Sequence, residues 1–141
     1  MGVGVSAIVD TNVYVYYAIK SSKYHKRSKE LLNKLSKWGT PTVVVHEVIW
    51  TLYELLGRER TLYFVKALLS HRKTEVIPVS KQDITWSLEK IIEEKISLTR
   101  YNDKVILSLA KRTNTPILSF DKQLLAQAVR NGVAVINPYI V

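Results

Sequence analysis

The segment Val5-Ser6-Ala7-Ile8-Val9-Asp10-Thr11-Asn12 carries the clearest indication of the fold class. It is a short run that is apolar except for Ser6, and it ends in a polar triplet. Such a run is typical of a parallel strand that is buried on both faces, since helices cover both sides of a parallel sheet. The sequence therefore predicts a buried strand over residues 5–9, with Asp10 just past its carboxyl end.

Helices and further strands alternate along the rest of the chain. A second buried strand is predicted over 116–120 and is followed at once by Asp121. The other predicted strands are 75–79, 133–136 and 42–45, the last of which could instead be an extended entry to the next helix. The predicted helices are 13–19, 24–37, 46–56, 59–70, 80–95, 103–112 and 121–130. Ser80 and Asp83 predict a capping box, and Asn102 is the expected cap of the helix over 103–112. This alternation indicates an α/β fold, a three-layer α/β/α sandwich with a mainly parallel sheet, as a single domain over residues 1–141.

Charge and composition favour some classes of protein and exclude others. The chain carries a net charge of +9, which favours a polyanionic partner such as nucleic acid. Basic residues cluster early, among them Lys20, Lys23, Lys26 and Arg27, although one solvated helix face would look the same. The chain has no cysteine, so disulfides, thiolate metal sites and thiol nucleophiles are excluded. No apolar run approaches the roughly 20 residues that span a bilayer, and we expect a cytoplasmic protein without a membrane partner.

Four of the twelve acidic residues stand among apolar neighbours: Asp10, Glu47, Asp103 and Asp121. Each could simply cap a helix or face solvent. In an open parallel sheet, however, ligands bind beyond the carboxyl ends of the strands, so these acids should converge there. Converging carboxylates repel one another, and hard divalent cations relieve that repulsion. A metal-binding acidic cluster in a basic protein indicates phosphodiester hydrolysis.

The residues around these acids resemble the motifs of the PIN-domain family. Val9-Asp10-Thr11-Asn12-Val13 resembles the opening motif, and Glu47 resembles the second acid of the family. The segment from Tyr101 to Ala110, with Asp103 opening an apolar helix, resembles the third motif. Pro116-Ile117-Leu118-Ser119-Phe120-Asp121-Lys122 resembles the fourth. Each motif alone is weak, but four in order over nearly the whole chain are fairly specific.

The resemblance implies an endoribonuclease that depends on Mg²⁺ or Mn²⁺. The four acids carry over as the catalytic and metal-binding site, with Asn12 and Ser119 as supporting groups that orient carboxylates or water. Small members of the family are commonly toxins of VapBC-type pairs, which implies an RNA substrate, a homodimer and a cognate antitoxin. Lys104 departs from the family pattern, and we expect it either to contact substrate phosphate or, slightly preferred, to point to solvent.

Three other functions remain open. A PIN-type nuclease of RNA processing or quality control would use the same chemistry without an antitoxin. A nucleic-acid-binding module without catalysis would be expected to have a broken acidic quartet. A phosphoacceptor domain of the receiver type would need a pair of acidic residues near the end of the first strand. Asp10 has no acidic residue next to it in the sequence.

Apolar residues outside the motifs are interpreted as packing residues. Trp38, Trp50 and Trp86 are predicted to be core or interface anchors. The residues Leu52, Leu55, Leu56, Tyr63, Phe64 and Leu68 are predicted to be core, with part of them forming a dimer face.

Overall fold

A computed structural model describes residues 4–140, so residues 1–3 and 141 of the predicted domain lie outside the described residues. The strands are β1 (Ser6–Val9), β2 (Lys37–Pro41), β3 (Thr74–Ile77), β4 (Ile117–Leu118) and β5 (Val135–Ile136). The helices are α1 (Thr11–Ala18), α2 (His25–Lys34), α3 (Thr42–Leu56), α4 (Arg58–Ser70), α5 (Lys81–Glu94), α6 (Tyr101–Thr113) and α7 (Lys122–Arg130). A short 3₁₀ helix, Leu98–Arg100, leads into α6.

The described strands form one parallel sheet in the order β3-β2-β1-β4-β5. Strand β1 lies at the centre, with Ser6 opposite Lys37 of β2 and Ile8 opposite Ile117 of β4. The chain first moves outward from β1 to β3 and then returns to β4 on the other side. Right-handed crossovers therefore place α1–α4 on one face and α5–α7 on the other. The three-layer prediction is confirmed, and the direction of the chain reverses between β1 and β4.

The core surrounds the two central strands. Ala7, Ile8 and Val9 of β1 are fully buried, as are Ile117 and Leu118 of β4. This burial explains why neither strand alternates apolar and polar residues. Of the helices within residues 4–140, none has the length and apolarity needed to cross a bilayer.

The segment from residue 24 to residue 45 corrects two predictions. The helix predicted over 24–37 ends at Lys34, and Lys37–Pro41 forms strand β2 instead. The strand predicted over 42–45 is the first turn of α3, which begins at Thr42. Tertiary packing overrides local propensity here, because β2 pairs with both β1 and β3 while Val44 and Val48 bury one face of α3.

Helix α5 begins with the predicted capping box, in which Ser80 Oγ accepts a bond from the Asp83 N–H and the Asp83 carboxylate accepts one from the Ser80 N–H. The cap predicted at Asn102 is wrong. Helix α6 begins at Tyr101, and its N-terminal turn continues directly from the 3₁₀ helix. Asn102 consequently lies inside the helix and makes no capping bond.

The predicted packing residues divide between core and surface. Trp38 is buried and its indole N–H donates to the Leu32 carbonyl at 2.9 Å, whereas Trp50 is 67% exposed. Trp86 is partly buried against the core. Leu52 and Leu68 are core residues and Leu56 and Phe64 pack against the core, whereas Leu55 and Tyr63 are exposed. The exposed members of this set lie on α3 and α4.

Candidate active site

Asp10 lies immediately after β1 and caps helix α1. Its Oδ1 accepts a hydrogen bond from the Thr11 backbone N–H at 2.8 Å. Its Oδ2 accepts bonds from Ser119 Oγ at 2.7 Å and from Asn12 Nδ2 at 3.2 Å. The residue is only 7% exposed. Asp10 is therefore both a helix cap and a buried carboxylate at the switch point of the sheet.

Asn12 and Ser119 connect the segment after β4 to Asp10. Asn12 Oδ1 accepts the Phe120 N–H at 3.0 Å, and Asn12 Nδ2 donates to Ser119 Oγ at 3.2 Å. Ser119 Oγ also accepts the Asp121 N–H at 2.9 Å. These bonds fix the position of Asp121 relative to Asp10, although the two residues are far apart in sequence.

Glu47 reaches the same edge of the sheet from the second turn of α3. The Thr11 hydroxyl donates to Glu47 Oε1 at 3.0 Å, a contact that the sequence interpretation missed. Val44 and Val48 face the core on the buried side of α3, so Glu47 occupies a partly buried position between core and solvent. His46, the neighbour of Glu47 in the sequence, is exposed on a different face of the helix.

Arg100 is a second feature that the sequence interpretation missed. Its Nη2 lies 2.5 Å from Asp103 Oδ2 and 3.7 Å from Asp121 Oδ2. Asp103 stands in the first turn of α6, and Asp121 caps α7 by accepting the Gln123 N–H at 2.9 Å. The sequence did contain a signal for this contact. Arg100 and Asp103 are three residues apart, a spacing that favours an ion pair when both residues lie at the start of a helix.

The four predicted acids line one cleft of about 320 Å³, which we call the acid cleft. Thr11, Asn12, Val15, Tyr16 and Thr51 complete its lining. Burial raises the pKa of Asp10 to about 6, although hydrogen bonds from Ser119 and Thr11 oppose that shift. Burial also raises the pKa of Asp103 to about 6, opposed by the Arg100 charge and reinforced by the charges of Asp121 and Glu47. The cleft thus confines carboxylates that destabilise one another when ionised.

The residues of the acid cleft fit a hard divalent cation by the chemistry of their donors. All four acids offer carboxylate oxygens, the ligands that Mg²⁺ prefers. Asp103 Oδ2 is buried and has no hydrogen-bond partner among the described residues, and its contact with Arg100 is counted as an ion pair. Among residues 4–140, however, no three His, Cys, Asp or Glu side chains are arranged closely enough to hold a metal ion. Arg100 occupies the space between Asp103 and Asp121.

The structure does not bring the predicted basic residues into the acid cleft. Lys20 lines a different cleft, between α1, α2 and α4. Lys23 and Lys26 are exposed on or just before α2, with the Lys23 ammonium 5.1 Å from the ring centroid of Tyr24. Arg27 donates to the backbone carbonyls of Pro138 and Ile140, at 2.8 and 2.6 Å. Arg27 therefore holds the C-terminal segment.

The prediction that Lys104 points to solvent is wrong. Its side chain is fully buried, and its ammonium donates to Glu94 Oε1 at 2.8 Å. A buried ammonium needs such a partner because desolvation of an unpaired charge is costly. Since Lys104 is inaccessible and already paired, it is not available to a substrate phosphate either.

The fold and the site together define a class of α/β protein with an acidic cleft at the switch point of a parallel sheet. The sequence matches the PIN domain family over residues 7–130, and the chain belongs to that family. No curated protein sequence matches the chain.

Solved structures share the fold. VapC20 from Mycobacterium tuberculosis, described as a toxin that cleaves the sarcin-ricin loop, superposes with a TM-score of 0.75 at 17% identity, covering 86% of this chain and 94% of that one. DNA-bound VapBC from Salmonella typhimurium superposes with a TM-score of 0.70 at 18% identity, covering 95% and 98%. VapBC2 from Rickettsia felis, bound to a promoter DNA fragment, superposes with a TM-score of 0.69 at 18% identity, covering 94% of this chain and 98% of that one. At these identities the likeness shows a common fold.

Proposed function

We propose that this protein is a metal-dependent endoribonuclease that hydrolyses RNA phosphodiester bonds in the cytoplasm. The observation that carries the proposal is the convergence of Asp10, Glu47, Asp103 and Asp121 on one cleft at the switch point of the sheet. Family membership supports it, as does the net charge of +9, which favours a polyanionic substrate.

The four acids would hold Mg²⁺ or Mn²⁺. When bound, the cation supplies activated water at neutral pH and neutralises charge on the reacting phosphate. Ser119 and Asn12 orient Asp10 by donating to its Oδ2, and Thr11 orients Glu47. Preorganised carboxylates need little rearrangement when the substrate arrives.

Arg100 gives the acid cleft a second possible occupant. Its guanidinium contacts Asp103 and Asp121, the two acids supplied by the α5–α7 layer. A cation held through the Oδ2 atoms of these carboxylates would compete with Arg100 for them. A guanidinium not held by these acids would be free to bind a phosphate oxygen.

Within this activity, the more specific role we propose is that of the toxin of a toxin–antitoxin pair. Its support is that the structural neighbours include toxin–antitoxin complexes such as those of Salmonella typhimurium and Rickettsia felis. We expect a small neighbouring gene to encode the antitoxin. Its product should co-purify with this protein and suppress cleavage of RNA. A chain that cleaves RNA without any such partner would instead be a nuclease of RNA processing or quality control.

The proposal extends to a homodimer. Helices α3 and α4 expose large apolar side chains, among which Trp50 is 67% exposed and Tyr63 is 81% exposed. Exposed aromatic residues on adjacent helices are typical of protein interfaces. Light scattering of the purified protein should give twice the chain mass of 16.2 kDa, and a monomer at micromolar concentration would contradict this part of the proposal.

Cleavage of a mixed RNA pool tests the nuclease activity. The wild type is compared with Asp10→Asn in Mg²⁺ or Mn²⁺, and an EDTA sample is included. Asp10→Asn should lower cleavage at least about hundredfold, the scale of losing one group that stabilises the transition state. Glu59→Gln is the matched control, because Glu59 is exposed on α4 outside the acid cleft. Equal cleavage by wild type and Asp10→Asn would refute the assignment.

A non-catalytic nucleic-acid-binding module is the second candidate. It predicts that folded protein binds RNA equally well with and without EDTA and cleaves none with either metal. The intact acidic quartet and the raised pKa values of Asp10 and Asp103 argue against it, because a binding module gains nothing from carboxylates that are buried where their charged form is disfavoured.

A further inference from the structure

A second cleft, of about 420 Å³, lies between α7 and the segment that follows α5. On α7 it is lined by residues spaced along one helix face, Gln123, Ala126, Gln127 and Arg130. The opposite wall contains Arg100, whose guanidinium also contacts Asp103 and Asp121 of the acid cleft. The second cleft and the acid cleft are therefore neighbours that share Arg100.

Gln127 lines this cleft and carries a side-chain amide that is not fully hydrogen-bonded among residues 4–140. The residue is 6% exposed, and within the part of the chain that the structure describes its Oε1 is buried without a hydrogen-bond partner. A buried amide oxygen normally has a partner, since burial without one is unfavourable. A side-chain amide offers a donor and an acceptor side by side, the pattern that matches the edge of a nucleobase.

The wall opposite α7 includes Glu94, which forms an ion pair with the buried Lys104. The Lys104 side chain is fully buried, and it donates to Glu94 at the end of α5, where Glu94 lines the cleft. A buried lysine is a poor choice for stability alone. Here it ties the end of α5, where the segment 94–100 begins, to α6.

The remaining lining matches a nucleotide better than a free anion. Arg130, which is exposed, supplies positive charge suited to a backbone phosphate, and Ile96 and Ala126 supply apolar surface suited to the face of a base. A small inorganic anion would use the arginine alone and would leave the Gln127 amide and the apolar surface without a function.

We propose that the second cleft binds one unpaired ribonucleotide of the RNA substrate next to the cleaved bond, with Gln127 contacting the base edge and Arg130 contacting the phosphate. This inference rests on the proposed function, because it places a specificity subsite beside the acid cleft. Gln127 is then a specificity-determining residue, and the four acids remain the catalytic group.

Binding of short fluorescent single-stranded RNAs, measured by anisotropy in EDTA, tests the subsite without cleavage. The probes are oligo(A), oligo(C) and oligo(U). The wild type should bind one of them about tenfold more tightly than the others, the scale of one bidentate base contact. Gln127→Met should reduce that preference to about twofold or less, since methionine keeps the shape of glutamine without its hydrogen bonds. Gln82→Met, an exposed position on α5, should leave the preference unchanged.

Equal wild-type affinity for all three probes, or an unchanged preference in folded Gln127→Met, would overturn the inference. Arg130→Gln keeps the test decisive if Gln127→Met does not fold, because Arg130 is exposed. It should weaken binding of every probe alike and reduce the slope of log affinity against log salt concentration by about one. A salt slope equal to that of the wild type would equally overturn the inference.

The cleavage assay separates this inference from the proposed function. Loss of base preference in Gln127→Met together with no RNA cleavage by the wild type would retain the subsite and refute the nuclease. Cleavage by the wild type at the same sequences as Gln127→Met would retain the nuclease and refute the subsite.

Discussion

Replacing Asp10 by Asn should stabilise the metal-free protein at neutral pH. Burial raises the pKa of Asp10 from 3.8 to about 6 in the folded state, so the folded protein holds this proton more tightly than the unfolded chain. The stabilisation from the protonated carboxyl is complete below the unfolded pKa of 3.8 and is lost as the pH rises through about 6. Wild-type stability therefore carries a penalty at neutral pH that asparagine cannot have.

The size of this penalty follows from the pKa change. A shift of about two pKa units, at about 1.4 kcal/mol per unit, corresponds to about 3 kcal/mol. Asparagine replaces one accepting oxygen with an NH₂ group, which costs about 1 kcal/mol at every pH. The difference in unfolding free energy, Asp10→Asn minus wild type, should thus rise by about 2 to 3 kcal/mol between about pH 4 and pH 7.5.

Urea denaturation in EDTA, followed by tryptophan fluorescence at several pH values, measures this difference. Glu59→Gln is the control, and its stability should differ from that of the wild type by less than about 1 kcal/mol because Glu59 is exposed. A stability difference between Asp10→Asn and the wild type that stays constant across this pH range would refute the reasoning. An unfolding free energy that rises with pH more in the wild type than in the variant would refute it too. Adding Mn²⁺ should reverse the order at neutral pH, because only the wild type retains the full acidic quartet.

Arg100→Gln should bind Mn²⁺ at least about tenfold more tightly than the wild type in calorimetry, because no guanidinium then competes for the Asp103 carboxylate; unchanged affinity would contradict that competition. Asp83→Ala should lower the unfolding free energy by about 3 kcal/mol in urea, since it removes the capping box of α5 and the partner of Arg112, whereas Glu93→Ala on the same helix should change it by less than about 1 kcal/mol. Gly39→Ala should lower the melting temperature, because its Cβ would lie 2.9 Å from Ile8 Cδ1 and 3.0 Å from the Ala7 carbonyl oxygen; an unchanged melting temperature would show that β1 and β2 adjust without cost.

Lys104 illustrates why the surroundings of a residue are hard to read from sequence. A lysine next to an acid at a helix start ordinarily faces solvent, which was the prediction. Its burial depends on Glu94, which belongs to a different helix and is brought close only when α5 packs on α6. Similarly, the β2 strand forms because β1 and β3 lie on either side of it, and its own sequence, Lys37–Pro41, contains few strand-forming residues.

The class of fold and the four acids of the acid cleft could be predicted from the sequence. Apolar runs without alternation predict buried parallel strands, and an acid directly after such a run, as at Asp10 and Asp121, lies at the carboxyl edge of the sheet. Glu47 and Asp103 were predicted from their apolar neighbours and from the family resemblance. The contacts of Arg100 with Asp103 and Asp121, and the place of Gln127 beside a second cleft, could not be predicted in this way. Those contacts join helices that are separate in sequence, and their distances depend on how α5, α6 and α7 pack against the sheet.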